Sequence, residues 1–199
     1  MRSSKVLTFV LVASLVAASG LVVKLSMQQR TLLDRVGTLT TRVRDPYVGF
    51  YVPAVTLRSV AGDSVRLGEV PGGNAQVLLV FSTTCRFCRA SLSEWKRMVS
   101  QFRGPSGVEI LGVSVDSVEV TQQYLVEHHL EFPVVSFTDG KLRALYRSNV
   151  LPQTIVIDEQ GKVQYAYLGA LTETSITDSI MRVVRDVVSG ASYGNERDR

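Results

Sequence analysis

Two cysteines are all that the 199 residues contain. That is too few for a disulfide-scaffolded mini-protein, and a chain of this length needs no such bridges to hold a core. Histidine is as scarce, also two. His128 and His129 are adjacent and lie far along the chain from the cysteines, which leaves a tetrahedral zinc site short of separate ligands. Clustered positive charge is missing from the body of the chain. The net charge is +4, from 22 Lys+Arg against 18 Asp+Glu. Residues 1–45 hold 7 basic and 2 acidic side chains, residues 46–190 hold 13 and 14, and the last nine residues balance. The basic excess is therefore an N-terminal feature, and the main domain lacks the positive face that nucleic-acid binding needs. An apolar content of 45% excludes a mainly disordered chain.

The N-terminus is where a long apolar run does occur. Residues 6–23, VLTFVLVASLVAASGLVV, are 18 without a charge. Lys24 can snorkel, so the span is read as residues 6–25. It is at the short end for a hydrocarbon core of about 30 Å, but longer than the apolar region of a secretory signal peptide. The expectation is an uncleaved transmembrane signal-anchor behind a short cytoplasmic tail, residues 1–5. Ala17, Ala18, Ser19 and Gly20 keep cleavage open as the alternative, which would leave a secreted or periplasmic protein. Basic residues flank both ends, so charge alone orients the segment weakly. A short tail before a large folded domain favours the domain on the extracytoplasmic side of a bacterial cell membrane. Residues 26–46 read as a juxtamembrane stalk. Leu25, Gln29, Leu32, Val36, Leu39 and Val43 follow a heptad spacing for under three repeats, and Asp45-Pro46 ends it.

Residues 47–190 alternate strand and helix. Segments 55–57 and 65–67 flank Ala61-Gly62-Asp63, a hairpin pattern. Segment 77–81, VLLVF, reads as a strand buried on both faces. A helix is expected over 86–102, with Leu92, Trp95, Met98 and Val99 at helical spacing and Trp95 in the core. A strand at 108–115, a helix at 117–129, a strand at 133–136 and a short helix at 141–146 follow. Segments 154–158 and 162–167 form a second hairpin, with Tyr165 and Tyr167 half-buried on one face. A last helix starts near Thr172 as its cap and buries Ile176, Ile180, Val183, Val184 and Val187. Parallel strands joined by helices, then an antiparallel hairpin, imply a three-layer α/β domain. Residues 191–199 read as a flexible tail.

The chemistry is expected at Cys85-Arg86-Phe87-Cys88, directly after the buried strand and at a helix start. The first helical turn offers unpaired N–H groups and the positive end of the dipole. Both favour a thiolate at Cys85, and Arg86, Arg89 and Thr84 surround it as thiolate-stabilising neighbours. Cys88, one turn on, can resolve a mixed disulfide by intramolecular attack. A purely structural disulfide over so short a loop would remove little unfolded-state entropy. The arrangement therefore reads as a redox-active dithiol/disulfide couple with no cofactor and no metal. Phe87 sits on its rim as a recognition surface or a cap on Cys88. His128 and His129 read as exposed residues closing a helix.

The run VLLVFSTTCRFC, the strand VEILGVSVD, the segment LEFPVVSFTDGKLRALYRSNVLPQTIVIDEQGKV and the GALTE entry to the last helix are similar to the thioredoxin-like superfamily. Within it the chain most resembles membrane-anchored thiol–disulfide oxidoreductases of the ResA/TlpA type, a redoxin or AhpC-TSA-like domain with an N-terminal β-hairpin extension and a central β-α insertion. The resemblance implies that Leu151-Pro152 is a cis-proline loop facing the cysteines, with Leu151 and Pro152 shaping a groove for an extended substrate. It implies protein dithiol/disulfide partners, apocytochromes among them, and electrons from a membrane dithiol carrier. The pattern departs in places. Thr84 stands where relatives often carry Trp, no proline lies between the cysteines, and Ser91 fills a slot that is often acidic. Glu94 reads as solvated helix face, and the strand before the cysteines carries no buried acid, so no residue is assigned to handle the proton. The Ser82–Cys85 context also resembles accessory proteins of methylamine dehydrogenase maturation.

Two other functions stay open on sequence alone. A thiol peroxidase would typically place Pro seven and Thr or Ser three residues before its reactive cysteine. Here Leu78 and Ser82 stand there, so half the pattern survives. A copper-delivery module could use the two thiolates as soft ligands, but such proteins usually space the cysteines wider and add a histidine near the closing hairpin.

Overall fold

The computed structural model describes residue 15, residues 19–31, residue 33, and residues 45–70, 75–104 and 106–190. The chain divides into two units, Met1–Val43 and Arg44–Arg199. In the first, residues 19–31 are helical and exposed. Among the described residues no helix is long and apolar enough to cross a membrane. Most of the expected span 6–25, the cytoplasmic tail 1–5, the later part of the stalk and the tail 191–199 lie outside the described residues.

The second unit opens with a hairpin of β1 (Val55–Arg58) and β2 (Ser64–Leu67), which pair antiparallel as a separate two-stranded sheet. Then follow β3 (Ala75–Phe81), α1 (Arg86–Ala90), α2 (Leu92–Gln101), β4 (Val108–Ser114), α3 (Val118–Glu127), β5 (Val134–Ser136), α4 (Gly140–Leu145), β6 (Gln153–Ile157), β7 (Val163–Leu168) and α5 (Thr174–Val188). The main sheet has the order β5-β4-β3-β6-β7. β3, β4 and β5 run parallel, and β6 and β7 complete it antiparallel. The inserted β5 thus supplies an edge strand.

β3 is central because all seven of its residues are buried. Its alternation sorts them between two cores: Val77, Leu79 and Phe81 enter one, Leu78 and Val80 the other. The chain steps from β3 to β4 to β5 in a single direction. Right-handed crossovers then set α1–α2 and α3 on one face. That face holds Cys88, Trp95, Met98 and Tyr124, joined by Ile180, Met181, Val183 and Val184 of α5. On the opposite face Val65 and Leu67 of the hairpin pack with Phe137 and Tyr146, beside α4. The expected three layers are present, with one outer layer built largely from the hairpin.

Several element bounds differ from the sequence reading. The helix expected over 86–102 is two helices broken at Ser91. α5 is capped at Glu173, not Thr172, and its side chain makes no cap hydrogen bond. The reason is that Leu171 is fully buried and its N–H is bonded to the Ser91 hydroxyl at 2.9 Å, so the chain leaves that anchor before it can coil. His128 is not an exposed loop residue. Its ring lies edge-on to Tyr124 with centroids 4.3 Å apart, and its side chain is 20% exposed. Trp95, by contrast, is in the core as expected.

Gln76, fully buried in β3, ties the hairpin to the sheet. Its amide donates to the Arg66 carbonyl at 2.9 Å and to Glu109 at 2.8 Å, and accepts from the Gly68 N–H at 3.1 Å. Gln76→Leu leaves the buried Gly68 N–H without its acceptor and should cost about 1–3 kcal/mol in chemical denaturation.

Candidate functional site

The site grows from the shared end of β3 and β4. Phe81 pairs with Ser114 in the parallel register, so the residues after each strand emerge side by side. After Phe81 comes the turn Ser82-Thr83-Thr84, closed by the Cys85 N–H donating to the Ser82 carbonyl at 3.2 Å. After Ser114 comes Asp116, whose carboxylate holds that turn. One oxygen accepts the Thr83 N–H at 2.6 Å and the other accepts the Ser82 hydroxyl at 3.2 Å. The Ser82 oxygen in turn accepts the Thr84 N–H at 3.3 Å and lies 3.1 Å from the Thr84 hydroxyl.

This turn delivers Cys85 to the N-cap of α1 with an extended backbone, φ −78° and ψ 112°. Its sulfur is partly exposed and accepts the Cys88 N–H at 3.3 Å. Cys88 is fully buried, and both cysteines are free thiols. Burial pushes the Cys88 thiol well above its usual range, and its contact with the Cys85 sulfur adds to the effect.

Ser91 ends α1 after five residues. Its hydroxyl donates to the Phe87 carbonyl at 3.0 Å and accepts from Leu171. Bonding back four residues is the known way in which serine bends a helix. The long dipole expected behind Cys85 is thereby reduced to a short helix, and the single Cys88 N–H is the local group that faces the sulfur. The slot empty of an acid is thus a structural hinge between α1, α2 and the loop after β7.

Around the mouth, Thr84, Arg86, Phe87 and Arg89 are exposed. The Arg86 guanidinium lies over the Phe87 ring, 4.6 Å from its centroid. The Leu151–Pro152 bond is cis, as the resemblance implied. Val80 pairs with Gln153, so this loop enters β6 beside the end of β3 from which the cysteines follow. Leu151 packs against the same apolar cluster as Cys85 and Cys88. Pro152 is buried, and its carbonyl accepts the Gly169 N–H at 3.0 Å. The structure therefore gathers Cys85, Cys88, Leu151 and Pro152 at one end of the sheet. Thr84, Arg86, Phe87 and Arg89 form the outer rim.

Glu94 is not solvated helix face. Its side chain is only 14% exposed and pairs at 2.7 Å with Arg97, which also reaches Asp178 of α5 at 2.8 Å. Burial opposes its ionisation, but the Arg97 hydrogen bond overrides this and holds the carboxyl below its ordinary range. Two residues were not singled out by sequence reasoning. Asp116 looked like one acid among many; only the parallel register brings it to the turn. Tyr124 stacks on Phe81 at 5.8 Å, and the Arg89 side chain lies near its buried hydroxyl. Burial, then charge on Cys88, raises its phenol above the usual range. Among the described residues no group of three or more His, Cys, Asp or Glu is placed to hold a metal ion.

Residues 48–166 match the model of the AhpC/TSA family. The chain belongs to the AhpC/TSA family. It is 29% identical over 130 residues to the thiol-disulfide oxidoreductase ResA of Oceanobacillus iheyensis, covering 63% of this chain and 67% of that protein. It is 27% identical over 143 residues to ResA of Bacillus subtilis, covering 71% and 79%. The crystal structure of StoA from Bacillus subtilis superposes with a TM-score of 0.55 at 18% identity, covering 67% of this chain and 98% of that one. This AhpC/TSA member has a thioredoxin-like fold and is a thiol–disulfide oxidoreductase.

Asp116→Ala should leave the buried Thr83 N–H without its acceptor and lower stability by about 1–3 kcal/mol, with a smaller loss for Asp116→Asn, read by urea denaturation. The raised Cys88 thiol gives a pH dependence of definite sign. The folded, reduced protein keeps a proton that the unfolded chain loses above the ordinary cysteine value, about 8.5. Stability of the reduced protein should therefore fall as pH rises from about 7.5 to 9.5, and oxidation of the pair should abolish that fall. Denaturation midpoints of both redox forms across this range check it.

Proposed function

We propose that this protein is a membrane-tethered, extracytoplasmic enzyme that exchanges disulfides with partner proteins through Cys85 and Cys88. The observation that carries the reading is the unequal pair itself: a partly exposed sulfur at a helix cap, and a buried thiol one turn later whose N–H points to it at 3.3 Å. The Cys85 thiolate attacks one sulfur of a partner disulfide, the partner's other sulfur departs as thiolate, and a mixed disulfide forms. Cys88 then attacks the Cys85 sulfur and breaks its bond to the partner, and the Cys88 proton passes through solvent to the departing partner thiolate. The partner leaves as a dithiol, and the enzyme keeps a Cys85–Cys88 disulfide.

Burial keeps Cys88 a thiol while Cys85 attacks, so the two act in order. Thr84, Arg86 and Arg89 stabilise the Cys85 thiolate from the rim. Leu151 and Pro152 form one wall of the docking groove, and Phe87 borders it. A membrane dithiol carrier returns the pair to its reduced form. The 18-residue uncharged run over 6–23 supports the tether. The similarity to ResA supports a role as a reductant, with apocytochromes before haem attachment as the partner class.

Cys85→Ser should abolish exchange with a small-molecule disulfide, and Cys88→Ser should trap a mixed disulfide visible by mass spectrometry. A reduction potential of about −270 mV fits a reductant, and one of about −120 mV reverses the direction of electron flow. Exchange undiminished in Cys85→Ser overturns the reading.

A further inference from the structure

We propose that the mouth of the dithiol site is built for an acidic partner: a disulfide-bearing segment with Asp or Glu flanking its cysteines. This deepens the preceding reading and rests on it. Arg86 and Arg89 are both exposed, and neither joins an ion pair among the described residues. Arg58, Arg143, Arg182 and Arg185 likewise join none among the described residues, whereas three other arginines of the unit do. Arg66 pairs with Glu69 at 2.8 Å, Arg97 with Glu94 and Asp178, and Arg103 with Glu131 at 2.7 Å.

The placement of the two cations is tight. Arg86 follows Cys85 directly, and the Arg89 N–H donates to the Cys85 carbonyl at 3.1 Å, which seats it one turn above the sulfur. Arg86 stacks at 4.6 Å on Phe87, a ring left 51% exposed. A cation held on an aromatic face keeps its edge N–H groups free for a carboxylate. The carboxylate nearest the turn, Asp116, is bonded to Ser82 and Thr83 and forms no ion pair with either arginine. The Leu151-Pro152 pair beside the cysteines carries no charge. Residues 46–190 hold 13 basic and 14 acidic side chains, so a basic mouth is a local feature of a slightly acidic domain. Exposed ion pairs add little affinity, but complementary charge speeds encounter and fixes register. The preference belongs in kcat/KM and fades with salt.

The test uses the reduced full-length protein and two synthetic peptide disulfides of equal length, one with Glu and one with Lys flanking the cystine, beside the neutral bis(2-hydroxyethyl) disulfide. The Glu peptide should be reduced roughly 10-fold faster than the Lys peptide at low ionic strength, the ratio falling toward one in about 0.5 M salt. In Arg86→Gln/Arg89→Gln the ratio should drop to about 2 or less at low salt. Because both peptides meet the same sulfur, the ratio removes any effect of the arginines on Cys85 reactivity. A wild-type ratio near or below one, or a ratio that the double substitution leaves intact, overturns the proposal. If the neutral disulfide is reduced while the peptide ratio is one, only the acidic-partner inference falls. If the neutral disulfide is not reduced at all, the exchange reading falls and takes this one with it.

Discussion

Parallel pairing of β3 with β4 is the constraint from which the site follows. The two strands end in step at Phe81 and Ser114, so the turn that carries Cys85 and the carboxylate that fixes it leave the sheet together. The Asp116 side chain closes on the Thr83 N–H at 2.6 Å and on the Ser82 hydroxyl. Backbone N–H groups in such a turn would otherwise be buried without partners, a cost comparable to a lost hydrogen bond. The position of the reactive sulfur is therefore set by sheet register and one charge-assisted bond, and the helix that follows contributes less than its sequence suggests.

The second anchor lies behind the cysteines. Ser91 bonds to Phe87 within α1 and to Leu171 across the fold. Cys88 lies between these anchors, in a cluster with Trp95, Tyr124 and Val184. Apolar surroundings on the inner side and water on the outer side make two chemically different sulfurs from identical side chains. A thiolate nucleophile needs the exposed one, and an ordered resolving step needs the buried one to hold its proton.

Much of this was legible in the residues. VLLVF announced a strand buried on both faces, and the spacing of Cys85 and Cys88 announced the chemistry. The order of strands and helices led to the three layers. What stayed hidden was whatever depends on partners distant in sequence. Nothing local marks Ser91 as a break, since its hydroxyl is committed by Leu171, 80 positions away. Glu94 looked solvated because its exposed-face spacing does not reveal that Arg97 draws it toward Asp178. Thr172 had the right chemistry for a cap, but the anchoring of Leu171 moves the helix start beyond it. Asp116 stands 31 positions after Cys85 and is brought to the site by strand register alone.

α1 is clamped before its first residue and after its last, by bonds that involve neither Arg86 nor the Phe87 ring. Those two side chains project into solvent and take no part in the core. The dipeptide between the sulfurs is accordingly a replaceable cassette: evolution or an engineer can rewrite it to retune electron-transfer poise and client choice while the scaffold beneath stays unchanged.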